Sequence, residues 1–207
     1  LLQGRRIALI SDAGTPLMSD PGYRLVQSAQ QAGIQAQTVP GSCAAIAALS
    51  IAGLPTDRFV FEGFLPARTA AREQRMQELA GEPRTLVFYE SRHRIIAFLD
   101  SLNKTFGSQR RLVVARELTK KFETVYHGNV AEVIVDIRAD EQAHKGEFVV
   151  LLEGGLLQAG EQDLDRVLKP LLTELGVAKA SKLASRITGL GKNQCYQRAL
   201  VLQQQAG

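Results

Sequence analysis

Four charged side chains stand at points where apolar, strand-like runs of the sequence begin or end. They are Glu90, Glu117, Lys120 and Glu147. A cation next to a carboxylate shifts the pKa of both groups, which prepares an acid or a base for proton transfer. Surface ion pairs, which contribute little to stability, are the alternative explanation. Because these residues recur at strand ends rather than on helix faces, the pattern favours a functional site.

The loop of residues 11–16 is a second candidate, because it follows the apolar run 5–11. Ligands of parallel α/β sheets bind beyond the carboxyl ends of the strands. Gly14 lets a ligand approach the backbone, and Asp12 and Thr15 offer hydrogen-bonding groups, although a well-made turn would use the same residues. The sequence contains no Gly-x-Gly-x-x-Gly motif and no Walker lysine, so the loop does not indicate a dinucleotide or a P-loop nucleotide.

Residues 40–45 form another turn of small residues, between a predicted strand and a predicted helix. Such a turn can present a helix N-terminus to a ligand or can serve close packing of the helix on the sheet. From this stretch alone we favour close packing. No metal is expected, because the histidines (His93, His127 and His144) and the two cysteines lack ligand spacing. Cysteine usage and the lack of a membrane-length apolar run predict a reduced, cytoplasmic protein with no membrane partner.

The order of the apolar runs predicts an α/β fold. Strands are predicted at 5–11, 34–39, 58–63, 85–89, 112–116, 122–127 and 147–152. Helices are predicted at 23–32, 43–51, 69–80, 94–106, 130–137, 163–175, 178–187 and 193–204. Neighbouring strands with little helix between them indicate a mixed sheet. The almost wholly apolar helix 43–51 is expected to be buried on all sides. We divide the chain into residues 1–54, 55–156 and 163–207, the last preceded by a Gly/Gln-containing linker.

The positive charge of the chain is concentrated at its end. Residues 163–207 contain seven basic and three acidic residues, whereas residues 1–162 are balanced. Lys179, Lys182 and Arg186 share one face of a predicted helix, and a Gly-containing turn leads from it to Lys192. Helix, short turn and helix form the outline of a helix-turn-helix. The charge suggests a polyanionic partner, and a solvated helix face is an equal alternative.

Several of these segments, in the same order, resemble the tetrapyrrole methylase superfamily. The similar segments are residues 8–17, 19–23, 39–46, 61–66, 88–94, 115–120 and 145–148. The last four resemble one branch, which methylates the ribose 2′-hydroxyl of a cytidine in the decoding region of 16S ribosomal RNA. Family members begin with a strand and a Thr-Pro-Ile-Gly-Asn loop that this chain does not contain. We therefore expect the chain to be an N-terminally truncated fragment that lacks this part of the cofactor and RNA site.

The resemblance implies two αβα sandwich domains, the first incomplete here, with S-adenosylmethionine folded in the cleft between them, and a small C-terminal helical domain. By motif position the cofactor contacts are Gly14, Thr15, Pro16, Cys43, Ala44, Tyr89, Glu90, Glu147 and Phe148. Thr15 replaces an acidic residue of the family loop, and we expect Asp12 to supply the carboxylate instead. The implied contact at Cys43 and Ala44 argues against the close-packing interpretation of that turn.

For the reaction we expect Lys120 or Glu117 to assist the ribose hydroxyl, which is a poor nucleophile near neutral pH. The residues expected to hold RNA are Arg92, Arg94, Arg116, Lys179, Lys182, Arg186 and Lys192. The expected partners are 16S ribosomal RNA in the small ribosomal subunit and, by the resemblance, a second copy of the chain. Two other functions remain as alternatives, a tetrapyrrole C-methyltransferase and a non-catalytic RNA-binding module.

Overall fold

The computed structural model of the chain describes residues 1–143, 145–155 and 161–205. His144 and most of the expected linker therefore lie outside the described residues. Contacts divide the chain into two compact units, Leu1–Gly155 (unit 1) and Leu156–Gly207 (unit 2). The further division of unit 1 at residue 54 stays a prediction.

Unit 1 contains five strands and five helices among its described residues. In chain order they are α1 (Tyr23–Gln31), α2 (Ala44–Ile51), β1 (Phe59–Phe64), α3 (Thr69–Glu78), β2 (Thr85–Ser91), α4 (Ile95–Phe106), β3 (Arg111–Arg116), β4 (Thr124–Asn129), α5 (Val130–Ala139) and β5 (Glu147–Leu152). The predicted elements from residue 58 onward are confirmed, with ends displaced by one to two residues in most cases. The bounds of β5 are those predicted.

The strands form one sheet in the order β1-β2-β5-β3-β4. Strands β1 and β2 are parallel, whereas β5 is antiparallel to both β2 and β3, which confirms the mixed sheet. Because β5 runs opposite to its two neighbours, the end of β2, the end of β3 and the start of β5 lie at one edge. The register pairs Ser91 with Glu147 and Arg116 with Phe148.

Apolar side chains cover both faces of the sheet, since successive residues of a strand point to opposite faces. Helices α3, α4 and α5 pack on the face that carries Phe88, Val114 and Phe148. Helix α2 packs on the other face, which carries Val87 and Leu151. A sheet covered on both faces reads as continuous apolar runs, which is why these strands were visible in the sequence.

Helix α2 is buried on one face only, so the expectation of burial on all sides is wrong. Ala45, Ala48 and Leu49 are buried against the sheet, whereas Ile46 is 54% and Ile51 is 47% exposed. The composition of the helix does not fix its burial, because only the residues that face the sheet meet a packing partner in unit 1.

No strand precedes Phe59 among the described residues, so the predictions of strands at 5–11 and 34–39 are wrong. A strand needs a hydrogen-bonded neighbour about 4.8 Å away, and neither stretch pairs with one. Ile10 is 85% and Val39 is 87% exposed as a result. Helix α1, by contrast, forms as predicted and is followed by Gly33 with a positive φ of 70°.

Unit 2 consists of α6 (Glu161–Glu174), α7 (Val177–Thr188) and α8 (Lys192–Gln205), which confirms the three predicted helices. Their small core is formed by Leu164, Leu168, Ala180, Ala184, Cys195, Ala199 and Leu202. Gly189 ends α7 in the left-handed conformation, with φ of 75°, which a glycine adopts without strain. Of the predicted apolar face of α7, Leu183 and Ile187 are exposed. No helix among the described residues is long and apolar enough to cross a membrane.

Candidate functional site

Three of the four charged residues singled out above meet at the sheet edge. Lys120 Nζ donates to Glu117 Oε1 at 2.8 Å and to Glu147 Oε2 at 3.0 Å. The backbone N–H of Glu147 also donates to Glu117 Oε1, at 3.0 Å. Glu117 follows β3 and Glu147 opens β5, so the antiparallel pairing of these strands brings the carboxylates together. We call Glu117, Lys120 and Glu147 the sheet-edge cluster.

The ion pairs of the cluster fix the protonation state of both predicted catalytic residues. The hydrogen bonds that Lys120 donates to Glu117, which is the larger cause, and to Glu147 raise the pKa of Lys120. The hydrogen bond from Lys120 lowers the pKa of Glu117. Near neutral pH Lys120 is therefore an ammonium, which can stabilise a developing negative charge but cannot remove a proton. Glu117 is a carboxylate, which can accept one.

An open cavity of about 340 Å³ lies beside the cluster. Its lining residues are Ser91, Arg92, His93, Glu117, Lys120, Gly146 and Glu147. Gly146 has a φ of 97°, and a Cβ at this position would collide with the side chain of Glu117. Glycine is thus required for Glu117 to lie against the start of β5. A glycine directly before the charged start of β5 is the sequence signal for this residue, which was not among the predicted site residues.

Glu90, the fourth charged residue, lies apart from the cluster on the opposite face of the sheet. It is 1% exposed, and its Oε2 lies 3.1 Å from Arg94 Nη2. Burial, the largest cause, raises the pKa of Glu90. Arg94 Nη2 also donates to the carbonyl of Leu65 at 2.7 Å, so the pair fastens the chain that leaves β1. Phe148 is buried on the same face, and a cofactor on the α2 face would reach these two residues only through their backbone atoms.

The three arginines expected to hold RNA near the sheet edge have different surroundings. Arg92 is exposed at the cavity, where its Nε donates to His93 Nε2 at 3.0 Å. Arg116 is 3% exposed and its Nη1 lies 3.2 Å from Asp140 Oδ2. The hydroxyl of Tyr126 donates to the same carboxylate. Arg94 is held by Glu90, so of the three arginines the structure leaves Arg92 at the cavity surface.

The two candidate loops of the N-terminal segment lie side by side. Thr15 Oγ1 donates to the carbonyl of Ser42 at 2.9 Å, and a Cβ on Gly14 would lie 3.3 Å from the same oxygen. Gly14 has a φ of 73°, which favours glycine. Asp12 and Gly14 are exposed, while Thr15 and Pro16 are partly buried. Ser42, which joins the two loops, was not among the predicted site residues.

Tyr89 connects the second loop to the sheet. Its hydroxyl accepts the backbone N–H of Ala45 at 3.1 Å, and Cys43 Sγ lies 3.9 Å from it. The ring packs edge-on against Phe61 and Phe64, with centroid distances of 5.0 and 5.6 Å. Burial, the largest cause, raises the pKa of Tyr89. Ala44, next to this contact, is exposed.

The loops and the sheet-edge cluster share one face of the sheet. Ser91 and Glu147 have the same strand parity as Tyr89 and Val149, which face α2. The structure therefore brings Cys43, Ala44 and Tyr89 to the same face as Glu147. Among the described residues no group of three or more potential metal ligands is found.

The remaining predicted residues lie in unit 2. Lys179, Lys182, Arg186 and Lys192 are exposed. Lys179, Lys182 and Arg186, on α7, form what we call the α7 basic face. None of its three residues makes an ion pair with a side chain that the structure describes.

Comparisons with known proteins match both units. A profile of the Tetrapyrrole (Corrin/Porphyrin) Methylases matches residues 1–134, and a profile of the RsmI C-terminal HTH domain matches residues 158–203. A solved structure, the methyltransferase CobJ, has a TM-score of 0.54 at 21% sequence identity, covers 74% of this chain and is itself 66% covered. The profile match over residues 1–134 identifies the class as that of the tetrapyrrole methylases, and the likeness to CobJ shows the same fold.

Curated relatives with high sequence identity indicate a particular branch of this class. Proteins named Ribosomal RNA small subunit methyltransferase I are 52% identical in Pseudomonas aeruginosa, 48% in Escherichia coli O157:H7 and 50% in Xylella fastidiosa. The Pseudomonas match covers 95% of this chain and 71% of the relative, and the Escherichia match covers 97% and 71%. The chain belongs to the tetrapyrrole methylase family, and within it to the ribosomal RNA small subunit methyltransferase I branch.

Proposed function

We propose that the chain transfers a methyl group from S-adenosylmethionine to the ribose 2′-hydroxyl of a cytidine in the decoding region of 16S ribosomal RNA. Membership of the branch supports the class of substrate. The observation that carries the chemistry is Lys120, an ammonium held by two carboxylates at the rim of an open cavity. Arg92, exposed in the same cavity, adds a second cation for a polyanion.

The residues of the two loops fit the methyl donor. Small residues with reachable backbone are needed where a ligand lies against the chain, and Gly14 and Ala44 are both exposed. Thr15 holds the two loops together through Ser42, so this surface is formed before a ligand arrives. We propose that the donor is held by Asp12, Gly14, Thr15, Pro16, Cys43, Ala44, Tyr89 and Glu147, and by the backbone atoms of Glu90 and Phe148. When bound, S-adenosylmethionine supplies a methyl group that is already activated by a positively charged sulfur.

Lys120 and Glu117 divide the work on the ribose hydroxyl. A lysine ammonium has three N–H donors, and two of those of Lys120 are used by Glu117 and Glu147. The third is left for the 2′-oxygen, and the positive charge lowers the pKa of the hydroxyl. Glu117 is ionised and accepts the proton that the hydroxyl loses. Placing these groups against the 2′-oxygen supplies the remaining acceleration, because the methyl group needs no activation by the protein.

The substrate's phosphates meet cations in both units under this proposal. Arg92 holds RNA near the reacting ribose, and the α7 basic face and Lys192 hold other phosphates of the RNA. The small ribosomal subunit, as the particle that contains 16S ribosomal RNA, is the proposed partner, and the proposed location is the cytoplasm.

Transfer of labelled methyl from S-adenosylmethionine to purified small ribosomal subunits tests the function. We expect label in 16S ribosomal RNA that is released as a 2′-O-methylated cytidine after digestion. A uroporphyrinogen substrate, offered in parallel, distinguishes the tetrapyrrole C-methyltransferase, which would label the pigment instead. Calorimetry with S-adenosylmethionine addresses the RNA-binding module. RNA binding without donor binding and without transfer would contradict the proposal.

A homodimer is part of the same proposal. The resemblance to the tetrapyrrole methylase superfamily, which implies a second copy of the chain, supports it. Light scattering on the purified chain measures its mass directly. A single 22.6 kDa species over the accessible concentration range would contradict the dimer and leave the proposed reaction untouched.

A further inference from the structure

The loop between β3 and β4 carries an exposed aromatic ring that no step above uses. Phe122 is 60% exposed, and Lys121 Nζ lies over its ring at 5.4 Å from the centroid. A single exposed aromatic side chain is ordinary on a protein surface. Phe122 differs because a cation accompanies the ring and because the loop that holds it is fixed.

Hydrogen bonds within the loop 117–123 hold it in one shape. The N–H of Thr119 donates to Glu123 Oε2 at 2.6 Å, and the N–H of Glu123 donates to the carbonyl of Lys120 at 3.1 Å. Glu117 and Thr119 have positive φ values of 51° and 65°, which are unfavourable for residues other than glycine. Backbone strain of this kind persists where surrounding contacts enforce it, and it is concentrated at functional sites.

The loop places Phe122 close to the reactive cluster along the chain. Lys120 lines the cavity, and Phe122 is two residues further along the chain, at most about 7 Å between Cα atoms. A nucleotide whose ribose lies at Lys120, or its neighbour in the strand, therefore has its base within reach of the ring. Since the loop is already ordered, binding there costs little conformational entropy.

We propose that Phe122 stacks on a base of the RNA, while Lys121 meets a phosphate of the same strand. The assignment rests on the proposed function and makes Phe122 a substrate-positioning residue. Single-stranded RNA is held by stacking of its unpaired bases on aromatic side chains, and this mode accepts any base because every base has a π-face. An exposed ring can stack on the base of a nucleotide, and the cation beside it can contact the phosphate. The cytidine or a flanking nucleotide is thus the expected occupant.

Removing and restoring the ring tests the assignment. Phe122→Ala should weaken binding of a decoding-region RNA oligonucleotide about 5- to 100-fold, the range of one lost stacking contact. It should raise KM for RNA more than it lowers kcat, and leave donor binding unchanged. Phe122→Tyr should restore binding. Tyr23→Ala, which removes another ring that is 66% exposed, is the matched control and should bind RNA as the unmodified chain does.

Fluorescence provides a readout that does not depend on turnover. The sequence contains no tryptophan, so Phe122→Trp creates a single reporter at the proposed contact. Stacking on a base should quench its emission on addition of the oligonucleotide, whereas the reporter Tyr23→Trp should not respond. Thermal unfolding of each variant at the temperature of the unmodified chain confirms that the fold is intact.

The outcomes separate the stacking assignment from the proposed function. RNA binding that is unaffected by Phe122→Ala, with an unquenched Phe122→Trp, overturns stacking alone. If Phe122→Ala weakened binding to small subunits but not to naked RNA, the ring would contact a ribosomal protein. That result would also overturn stacking. An unmodified chain that neither binds nor methylates RNA overturns the proposed function, and the stacking assignment with it.

Discussion

Lys120 of the sheet-edge cluster is tied to two carboxylates, whereas no residue of the α7 basic face pairs with a carboxylate that the structure describes. Lys120 contacts Glu117 and Glu147, and its backbone loop is held by further hydrogen bonds. Lys179, Lys182 and Arg186 lie exposed on a single helix. Both regions carry positive charge, but only in the sheet-edge cluster do surrounding contacts hold the charged group in one position.

The difference corresponds to two ways of using a cation. A charge that must act on one atom of a substrate has to be held in place, because a displacement of about 1 Å can cost about 10²-fold in rate. A charge that only attracts phosphates gains from remaining mobile and solvated, since the backbone of a nucleic acid offers many equivalent contacts. We therefore expect variants of the sheet-edge cluster to affect turnover and variants of the α7 basic face to affect affinity.

The largest effect is expected for Lys120→Ala. Loss of the ammonium removes the group that stabilises the developing negative charge on the 2′-oxygen, and kcat should fall by about 10²-fold or more. Affinity for S-adenosylmethionine should change little, because the donor is held by the loops. Single-turnover methyl transfer and calorimetry measure the two quantities.

Lys104→Ala is the matched control for Lys120→Ala. Lys104 also pairs with a carboxylate, Glu73, at 2.7 Å, but it lies on α4 and does not line the cavity. Its removal should leave kcat unchanged. Equal turnover in both variants would remove Lys120 from the mechanism and with it the distinction between fixed and mobile cations.

Neutralising the α7 basic face should change affinity and its salt dependence. If Lys179, Lys182 and Arg186 contact phosphates, the triple alanine variant should lower the slope of log K against log salt by about 2 to 3, since each contact contributes roughly 0.7 to 0.9. The value of kcat at saturating RNA should be kept. Titrations at several salt concentrations provide the slope.

Lys169→Ala offers a control within the same unit. Lys169 is exposed on α6, so its removal changes the net charge without touching the α7 basic face. Its slope should equal that of the unmodified chain, since one lost phosphate contact would lower the slope by about 0.7 to 0.9. If the triple variant kept the slope of the unmodified chain, α7 would be a solvated face, which was the alternative left open by its sequence.

Arg116 and Lys120 illustrate what the sequence could and could not predict. Both lie at the end of the same apolar run, and the strand end predicted a cluster of charged side chains, which the structure contains. Arg116, however, is the last residue of β3, and its position in the strand directs it to the face covered by α3, α4 and α5. Asp140 pairs with it there. Its partner lies 24 residues away, and only the packing of α5 reveals it.

The N-terminal segment shows the same limit for the fold. Residues 147–152 were assigned correctly because an apolar run buried on both faces has few alternatives. Residues 5–11 and 34–39 also contain β-branched residues, yet form no strand. Strand formation depends on a neighbour as well as on the residues themselves, so local pattern was sufficient in the sheet and insufficient here.

Tyr89→Phe should have a moderate effect on the fixed region. The hydroxyl accepts the N–H of Ala45, which is buried, and its loss leaves that donor unsatisfied at a cost of about 1 kcal/mol. Donor binding should weaken about 5-fold if the contact also positions the second loop. Urea unfolding and calorimetry measure the two effects.

Tyr126→Phe is the corresponding control, because it also removes a hydrogen-bonded hydroxyl, the one bound to Asp140 on the other face of the sheet. It should lower stability and leave donor binding unchanged. Donor binding that is equally insensitive to Tyr89→Phe would show that the loop contact is structural only.

The smallest effect concerns the acid sensitivity of the sheet-edge cluster. The pKa of Glu117 lies below its ordinary value of 4.5 in the folded chain, because Lys120 donates to it. Its contribution to stability is therefore complete above about pH 4.5 and is lost as the pH falls through the lowered pKa. The Glu117→Gln variant lacks this contribution at every pH. Its free energy of unfolding should therefore be lower than that of the unmodified chain by about 0.5 kcal/mol at pH 7. The difference should shrink in acid.

Urea unfolding at pH 7 and below pH 4 measures that difference, with Glu141→Gln as the control. Glu141 is exposed and has no ion pair with any side chain that the structure describes, so its replacement should give curves parallel to those of the unmodified chain at both pH values. A Glu117→Gln difference that stayed constant with pH would mean that the carboxylate is not held by Lys120. The sheet-edge lysine would then be as mobile as those of α7, and the contrast between the two regions would disappear.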